Sequence, residues 1–123
     1  MRLLLDTNVL IQSIAGALRP DVMDMLDDPA NELFVSHVSL WEIAIKSGLG
    51  KLRVPDDLDV QVEQLGIIEL PLSRPHLAAY RELPLLHRDP FDRMLVTQAR
   101  IENLILVTSD RQLAEYDVTV LPA

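Results

Sequence analysis

The chain has 123 residues, of which 49% are hydrophobic, carries a formal charge of −8 and contains no cysteine. That length suits one domain, here taken as residues 1–123, and the apolar content argues for a packed core rather than disorder. Disulfide and thiolate chemistry are excluded, and no stretch approaches the ~18 apolar residues of a membrane span. The opening Met1–Leu5 run is too short for a secretory leader and is followed by Asp6, so a soluble cytoplasmic protein is expected. Recognition of nucleic acid through the overall field is disfavoured by the acidic balance, so any such contact must be local.

Apolar runs alternate with helical patterns along the chain. Arg2–Leu5 reads as a buried strand ending at Asp6, and residues 7–18 as a helix closed before Pro20. A short helix over residues 21–26 precedes a strand at 33–35. Ser39 is expected to open the next helix, which runs through Lys46 to a stop at Gly48. Residues 50–55 form a connector and 56–65 a helix ended by Gly66. A third strand at 67–70 is closed by Pro71, and Ser73 begins a helix through Tyr80. After a loop holding Pro84, His87 and Arg88, Asp89-Pro90 opens a helix to Glu102. Strand four (104–107), a short helix (109–116) and strand five (118–121) complete the chain. Strands separated by helices imply right-handed crossovers, hence a three-layer α/β/α sandwich around a mostly parallel five-stranded sheet. In such sheets sites lie beyond the carboxyl ends of the strands.

Four acids belong at that edge. Asp6 follows strand one and Asp110 follows strand four, while Glu42 and Asp92 lie in the first turns of the helices opened by Ser39 and Asp89. Each has a purely structural reading. Ser39-x-x-Glu42 has the form of a capping box, Asp89-Pro90-Phe91-Asp92 places a cap before proline at the first helical position, and Asp6 and Asp110 are placed to cap the helices that follow them. Context adds a functional reading. Glu42 is the lone charge between Val38 and Ile45, and a buried carboxylate needs a partner. Several carboxylates crowded together raise one another's pKa unless a cation intervenes. An all-oxygen ligand set points to Mg²⁺ or Mn²⁺ rather than zinc. His37, His76 and His87 are scattered and are read as non-ligands, with His87 and Arg88 on a solvated loop.

Leu3-Leu4-Leu5-Asp6-Thr7-Asn8 resembles the opening of PIN domains. Ser39-Leu40-Trp41-Glu42-Ile43-Ala44-Ile45-Lys46 with Gly50-Lys51-Leu52 resembles the second block of the VapC-type toxin branch of that family. His87-Arg88-Asp89-Pro90-Phe91-Asp92-Arg93-Met94-Leu95 and Val107-Thr108-Ser109-Asp110 follow in order, so the resemblance spans residues 2–120. One departure is Asn8, where relatives sharing the Asp89-Pro90-Phe91-Asp92 block often carry histidine.

The resemblance implies an Mg²⁺- or Mn²⁺-dependent endoribonuclease, the toxin of a toxin–antitoxin pair, acting on RNA and partnered by an antitoxin and by a second copy of itself. It implies Asp6, Glu42, Asp92 and Asp110 as metal-binding catalytic residues and Thr7 and Ser109 as hydroxyls beside the metal. Asn8, Ser39 and the N-cap Asp89 would shape the site from behind. Local basic residues must meet the RNA: Lys46, Lys51, Arg53, Arg88, Arg93 and Arg111 are candidates, with Lys46 and Arg93 foremost because they share helices with Glu42 and Asp92. Other readings are a PIN nuclease of RNA processing, a PIN domain that binds without cutting, and a receiver-like signalling domain with an acidic Mg²⁺ pocket. The last lacks the paired acid after strand one and the lysine after strand five that it requires.

Overall fold

The computed structural model describes residues 1–123. Five strands, β1 (Arg2–Leu5), β2 (Glu32–Ser36), β3 (Ile68–Leu70), β4 (Ile105–Thr108) and β5 (Val120–Pro122), form one sheet in the order β3-β2-β1-β4-β5. Every neighbouring pair is parallel, with Leu5 in register with Val35 on one side and Val107 on the other. The helices are α1 (Thr7–Ile14), α2 (Pro20–Asp27), α3 (His37–Gly48), α4 (Leu58–Gln64), α5 (Arg74–Arg81) and α6 (Pro90–Glu102), with a 3₁₀ turn at Arg111–Glu115. None is long and apolar enough to cross a membrane.

The two-residue period of β1 divides the core. Leu3 and Leu5 pack with Val9, Leu10, Leu26, Ile43 and Val62 from α1 to α4. Leu4 faces the other way, onto Leu95, Val96 and Ala99 of α6 together with Leu113 and Tyr116. Alternate side chains of a strand point to opposite faces, so β1 can be apolar throughout only when both faces are covered. The three-layer sandwich predicted from the alternation of elements is therefore the observed fold. Its strand order separates it from receiver domains, in which the third strand rather than the fourth lies beside the first.

Two boundaries differ from expectation. The first helix stops at Ile14 instead of reaching Leu18, because Gly16 adopts φ 67°, a left-handed conformation that turns the chain. The third helix begins at His37 rather than after Ser39, since Ser36 at the end of β2 accepts the Val38 amide at 2.9 Å and is its cap. Ser39 and Glu42 therefore form no capping box. Glu42 lies in the second turn, too far along the helix to reach the first amides, and its carboxylate is directed across to α1.

A carboxylate centre at the switch point

From β1 the chain proceeds outward through β2 to β3, then crosses back to place β4 on the other side of β1. The carboxyl ends of β1 and β4 thus flank the topological switch point, where parallel sheets open a crevice. Asp6 and Asp110 stand there. Helix α3 leaves β2 directly and so starts at the same edge. Helix α6 runs back toward the start of β4, so its amino end is at that edge as well. Trp41 and Phe91 meet edge to face, with centroids 5.5 Å apart, and clamp α3 to α6 beside Glu42 and Asp92.

The capping readings and the clustering prove compatible. Asp6 Oδ1 accepts the Val9 amide at 3.1 Å, capping α1, while Oδ2 accepts the Thr108 hydroxyl. Asp110 Oδ1 caps the 3₁₀ turn through Gln112 N–H at 3.0 Å. Asp89 caps α6 through the amides of Phe91 and Asp92, with Pro90 at the first helical position. Burial is the main force pushing the Asp6 pKa up, opposed by its hydrogen bonds from Thr108 and Val9 and reinforced by Glu42.

Asp92 differs from these. Its carboxylate receives no hydrogen bond from the chain. Burial first, then repulsion from Asp89, Asp6 and Glu42, raise its pKa to about 7, with His87 pulling the other way. A carboxylate repelled by three others, with no donor of its own, fits a cation-binding group.

Glu42 is only 5% exposed. Its Oε1 accepts the Thr7 hydroxyl at 2.7 Å, and Thr7 Oγ1 lies 2.9 Å from Ser39 Oγ. Lys46 Nζ donates to Oε2 at 2.6 Å. Thr7, Ser39 and Lys46 are thus drawn to Glu42, whereas Asn8 is exposed.

Three residues depart from the sequence-based reading. His87 is half-buried, not solvated: Nε2 is 3.2 Å from Asp110 Oδ2 and 4.0 Å from Asp92 Oδ2, and Nδ1 accepts the Asp89 amide. The ligand atoms of His87, Asp92 and Asp110 all lie within 4.8 Å of one another, so a nitrogen donor borders the oxygen set. The only sequence signal for this was position, two residues before the cap of α6. Second, the hydroxyl beside Asp6 belongs to Thr108. It also accepts the Asp110 amide, whereas Ser109 is exposed. The end of the strand explains this, since Thr108 is the last residue of β4 and is buried beside Asp6, whereas Ser109 lies beyond the strand.

Third, Arg93 is buried, not exposed beside Asp92. Its guanidinium donates to the carbonyls of Leu83 and Pro84 and to the hydroxyls of Tyr80 and Tyr116. Tyr116 Oη in turn accepts the amides of Leu86 and His87, so Arg93 braces the loop that carries His87. Of the other basic candidates, Lys51, Arg53, Arg88 and Arg111 are exposed.

A doubly covered parallel sheet with acids gathered over its switch point defines an α/β protein with a carboxylate centre. The family model described as the PIN domain matches residues 3–118, and the chain belongs to that family. No curated protein matches it by sequence. Among solved structures it is similar to a chain of VapBC2 from Rickettsia felis bound to a DNA fragment from the promoter, with TM-score 0.77, 18% identity, and 99% of this chain and 98% of that chain covered. DNA-bound VapBC from Salmonella typhimurium has TM-score 0.74 and 17% identity, again covering 99% and 98%. FitAcB from Neisseria gonorrhoeae has TM-score 0.62 and 24% identity, covering 97% and 96%. These structures share the fold.

Proposed function

We propose that the chain is a divalent-metal-dependent endoribonuclease, using Mg²⁺ or Mn²⁺, and the toxin of a toxin–antitoxin pair. The observation that carries the metal reading is Asp92, a carboxylate without a hydrogen-bond donor, held among Asp6, Asp89 and Glu42 and raised to a pKa of about 7. Asp6, Asp92 and Asp110 are the residues that would hold the ion, with Glu42 beside them and His87 at the border. A bound divalent ion supplies Lewis-acid polarisation of a phosphoryl oxygen and a water of lowered pKa.

The chain's own part is positional. Helix caps and the Thr108 hydroxyl fix the orientations of Asp6 and Asp110 before any ligand arrives, which favours electrostatic preorganisation. No side-chain nucleophile is required, in keeping with the absence of cysteine. With Arg93 buried, Lys46 is the basic residue best placed to face a phosphodiester, since its ammonium is already drawn toward Glu42, Asp89 and Asp92.

The toxin reading draws on the resemblance of the sequence blocks to VapC-type toxins and on the fold shared with chains from VapBC and FitAB complexes. It brings an antitoxin partner and a homodimer with it. A nuclease of RNA processing is the second reading, favoured by the same centre.

The test is to incubate the purified chain with structured RNAs, with and without Mg²⁺ or Mn²⁺. Cleavage is expected only with metal and is lost in Asp6→Asn; cleavage that persists in EDTA would overturn the mechanism. Growth arrest on expression, relieved in Asp92→Asn, separates the toxin from the processing enzyme.

A further inference from the structure

Glu42 and Lys46 bear on how many ions the centre takes. Glu42 is buried with both oxygens engaged: Oε1 accepts the Thr7 hydroxyl, and Oε2 accepts the Lys46 ammonium at 2.6 Å. A hydroxyl or amide donor leaves a carboxylate oxygen free to bind a cation through its remaining lone pairs. An ammonium does not, because it is itself a cation. An ion bound to Oε2 at the usual ~2.1 Å would lie within a few ångströms of Nζ, with like charges facing each other at short range.

The acids around Lys46 belong to two elements. Glu42 lies on its own helix, and Asp89 and Asp92 lie at the start of α6; together they push the ammonium's pKa up, Glu42 most strongly. The ligand atoms of His87 and Asp110 lie within 4.8 Å of that of Asp92, close enough to share one ion. Asp92 is therefore a member of the metal-type cluster and also one of the charges that act on the Lys46 ammonium. In two-ion nuclease centres the ions sit about 3.5–4 Å apart, so the second needs free carboxylate oxygens beside the first. Here the Glu42 side already holds a positive charge.

We infer that the centre takes a single divalent ion, bound at Asp92 and Asp110 with His87 at its border and Asp6 alongside, and that the Lys46 ammonium, held in place by Glu42, supplies the second positive charge facing the phosphodiester. The inference rests on the metal-dependent reading above. On this account Glu42 is the positioning residue of Lys46 and not a metal ligand, a departure from the role that family resemblance implies. Lys46 remains half-exposed, and its ammonium has three donors, so it can keep its bond to Glu42 Oε2 while offering another N–H to a phosphate oxygen when RNA arrives.

The experiment is a Mn²⁺ titration by calorimetry, with electron paramagnetic resonance of the bound ion and a thermal melt of each variant as a folding control. The wild-type chain is expected to bind one equivalent with the spectrum of an isolated ion. Lys46→Met should take up a second equivalent and show spin coupling, and Lys46→Arg, which keeps the cation, should stay at one. Glu42→Gln should retain the ion, whereas Asp92→Asn should weaken it by more than the roughly tenfold that disturbing even a residue behind a metal ligand costs. A coupled pair of ions in the wild type would overturn the inference, as would a single equivalent in Lys46→Met or a loss in Glu42→Gln as large as in Asp92→Asn. A folded wild-type chain that binds no Mn²⁺ would instead overturn the metal reading itself, and this inference with it.

Discussion

Thr7 donates its hydroxyl proton to Glu42 Oε1 across 2.7 Å, tying the first residue of α1 to the second turn of α3. Ser39 Oγ, 2.9 Å from the same Thr7 oxygen, extends this into a buried chain of three side chains. Hydrogen bonds to charged groups contribute about 1.5–3 kcal/mol, and a buried acceptor stripped of its donor costs a similar amount. Thr7→Val keeps the shape and removes the hydroxyl, so it should lower the free energy of unfolding by about 2 kcal/mol in urea denaturation. Thr7→Ser should recover most of it. Equal stability of wild type and Thr7→Val would show that the network holds nothing together.

Asp92 makes the metal-free protein sensitive to pH. Its native pKa of about 7 lies above the ordinary aspartate value of 3.8, which the unfolded chain retains. Between those values the native chain keeps a proton that the unfolded chain releases, so stability is greatest below the lower pKa and declines as pH rises through the window. Every tenfold difference in proton affinity between the two states is worth about 1.4 kcal/mol, so the loss amounts to a few kcal/mol by about pH 8. Asp92→Asn should therefore melt higher than wild type at about pH 8 in EDTA and show a flatter profile between about pH 5 and 8. Added Mn²⁺ should raise the wild-type melting temperature and leave Asp92→Asn nearly unmoved. A wild-type profile as flat as the variant's would contradict the crowding of acids around Asp92.

Asp89 serves as a cap and as a source of repulsion, and the two can be separated. Its Oδ1 accepts the Phe91 amide at 2.8 Å, while its charge raises the Asp92 pKa more than any other neighbouring charge does. Asp89→Ser keeps a capping oxygen without the charge, so helix stability should hold while Asp92 titrates at lower pH, as followed by carboxyl ¹³C NMR. Asp89→Ala should shift Asp92 the same way and in addition lose about 1 kcal/mol of stability.

Arg93 is expected to be a stability residue. Arg93→Met removes donors to the Leu83 and Pro84 carbonyls and to Tyr116 Oη; Pro84 and Tyr116 keep backbone amides as donors, so the main cost falls on the buried Leu83 carbonyl. Losses of about 1–3 kcal/mol are expected in chemical denaturation, with faster amide exchange at Leu86 and His87, whose N–H groups share Tyr116. If the variant unfolds like wild type but binds RNA more weakly, the side chain leaves its buried position in solution.

Much of this was legible in advance because it depends on residues close in sequence. Leu3-Leu4-Leu5 before Asp6 marks a doubly covered strand that ends in an acid, and Asp89-Pro90 marks a helix start; both stand where expected. The cap of α3 was misplaced because Ser36 and Ser39 are equally good capping residues. The choice between them depends on where β2 releases the chain, which is set by its pairing with β1 and β3. Ser109 and Thr108 are a similar pair: both carry hydroxyls, and only the point where β4 ends beside β1 assigns one of them to Asp6.

The carboxylate centre thus has two origins. Sequence alone determined the order of strands and helices, the carboxyl-edge acids and the family blocks around them, because hydrophobic period, capping chemistry and strand ends are local properties. Tertiary structure decided that β4 lies beside β1, that His87 folds in against Asp110, that Arg93 turns inward, and that Lys46 rather than free solvent meets Glu42. Most of those pairings join side chains from separate elements, and even Lys46, one turn from Glu42, takes its setting from Asp89 and Asp92 on α6. Which neighbour a charged or polar group meets is set by how the helices and loops pack over the sheet, and periodicity along the chain carries no record of that.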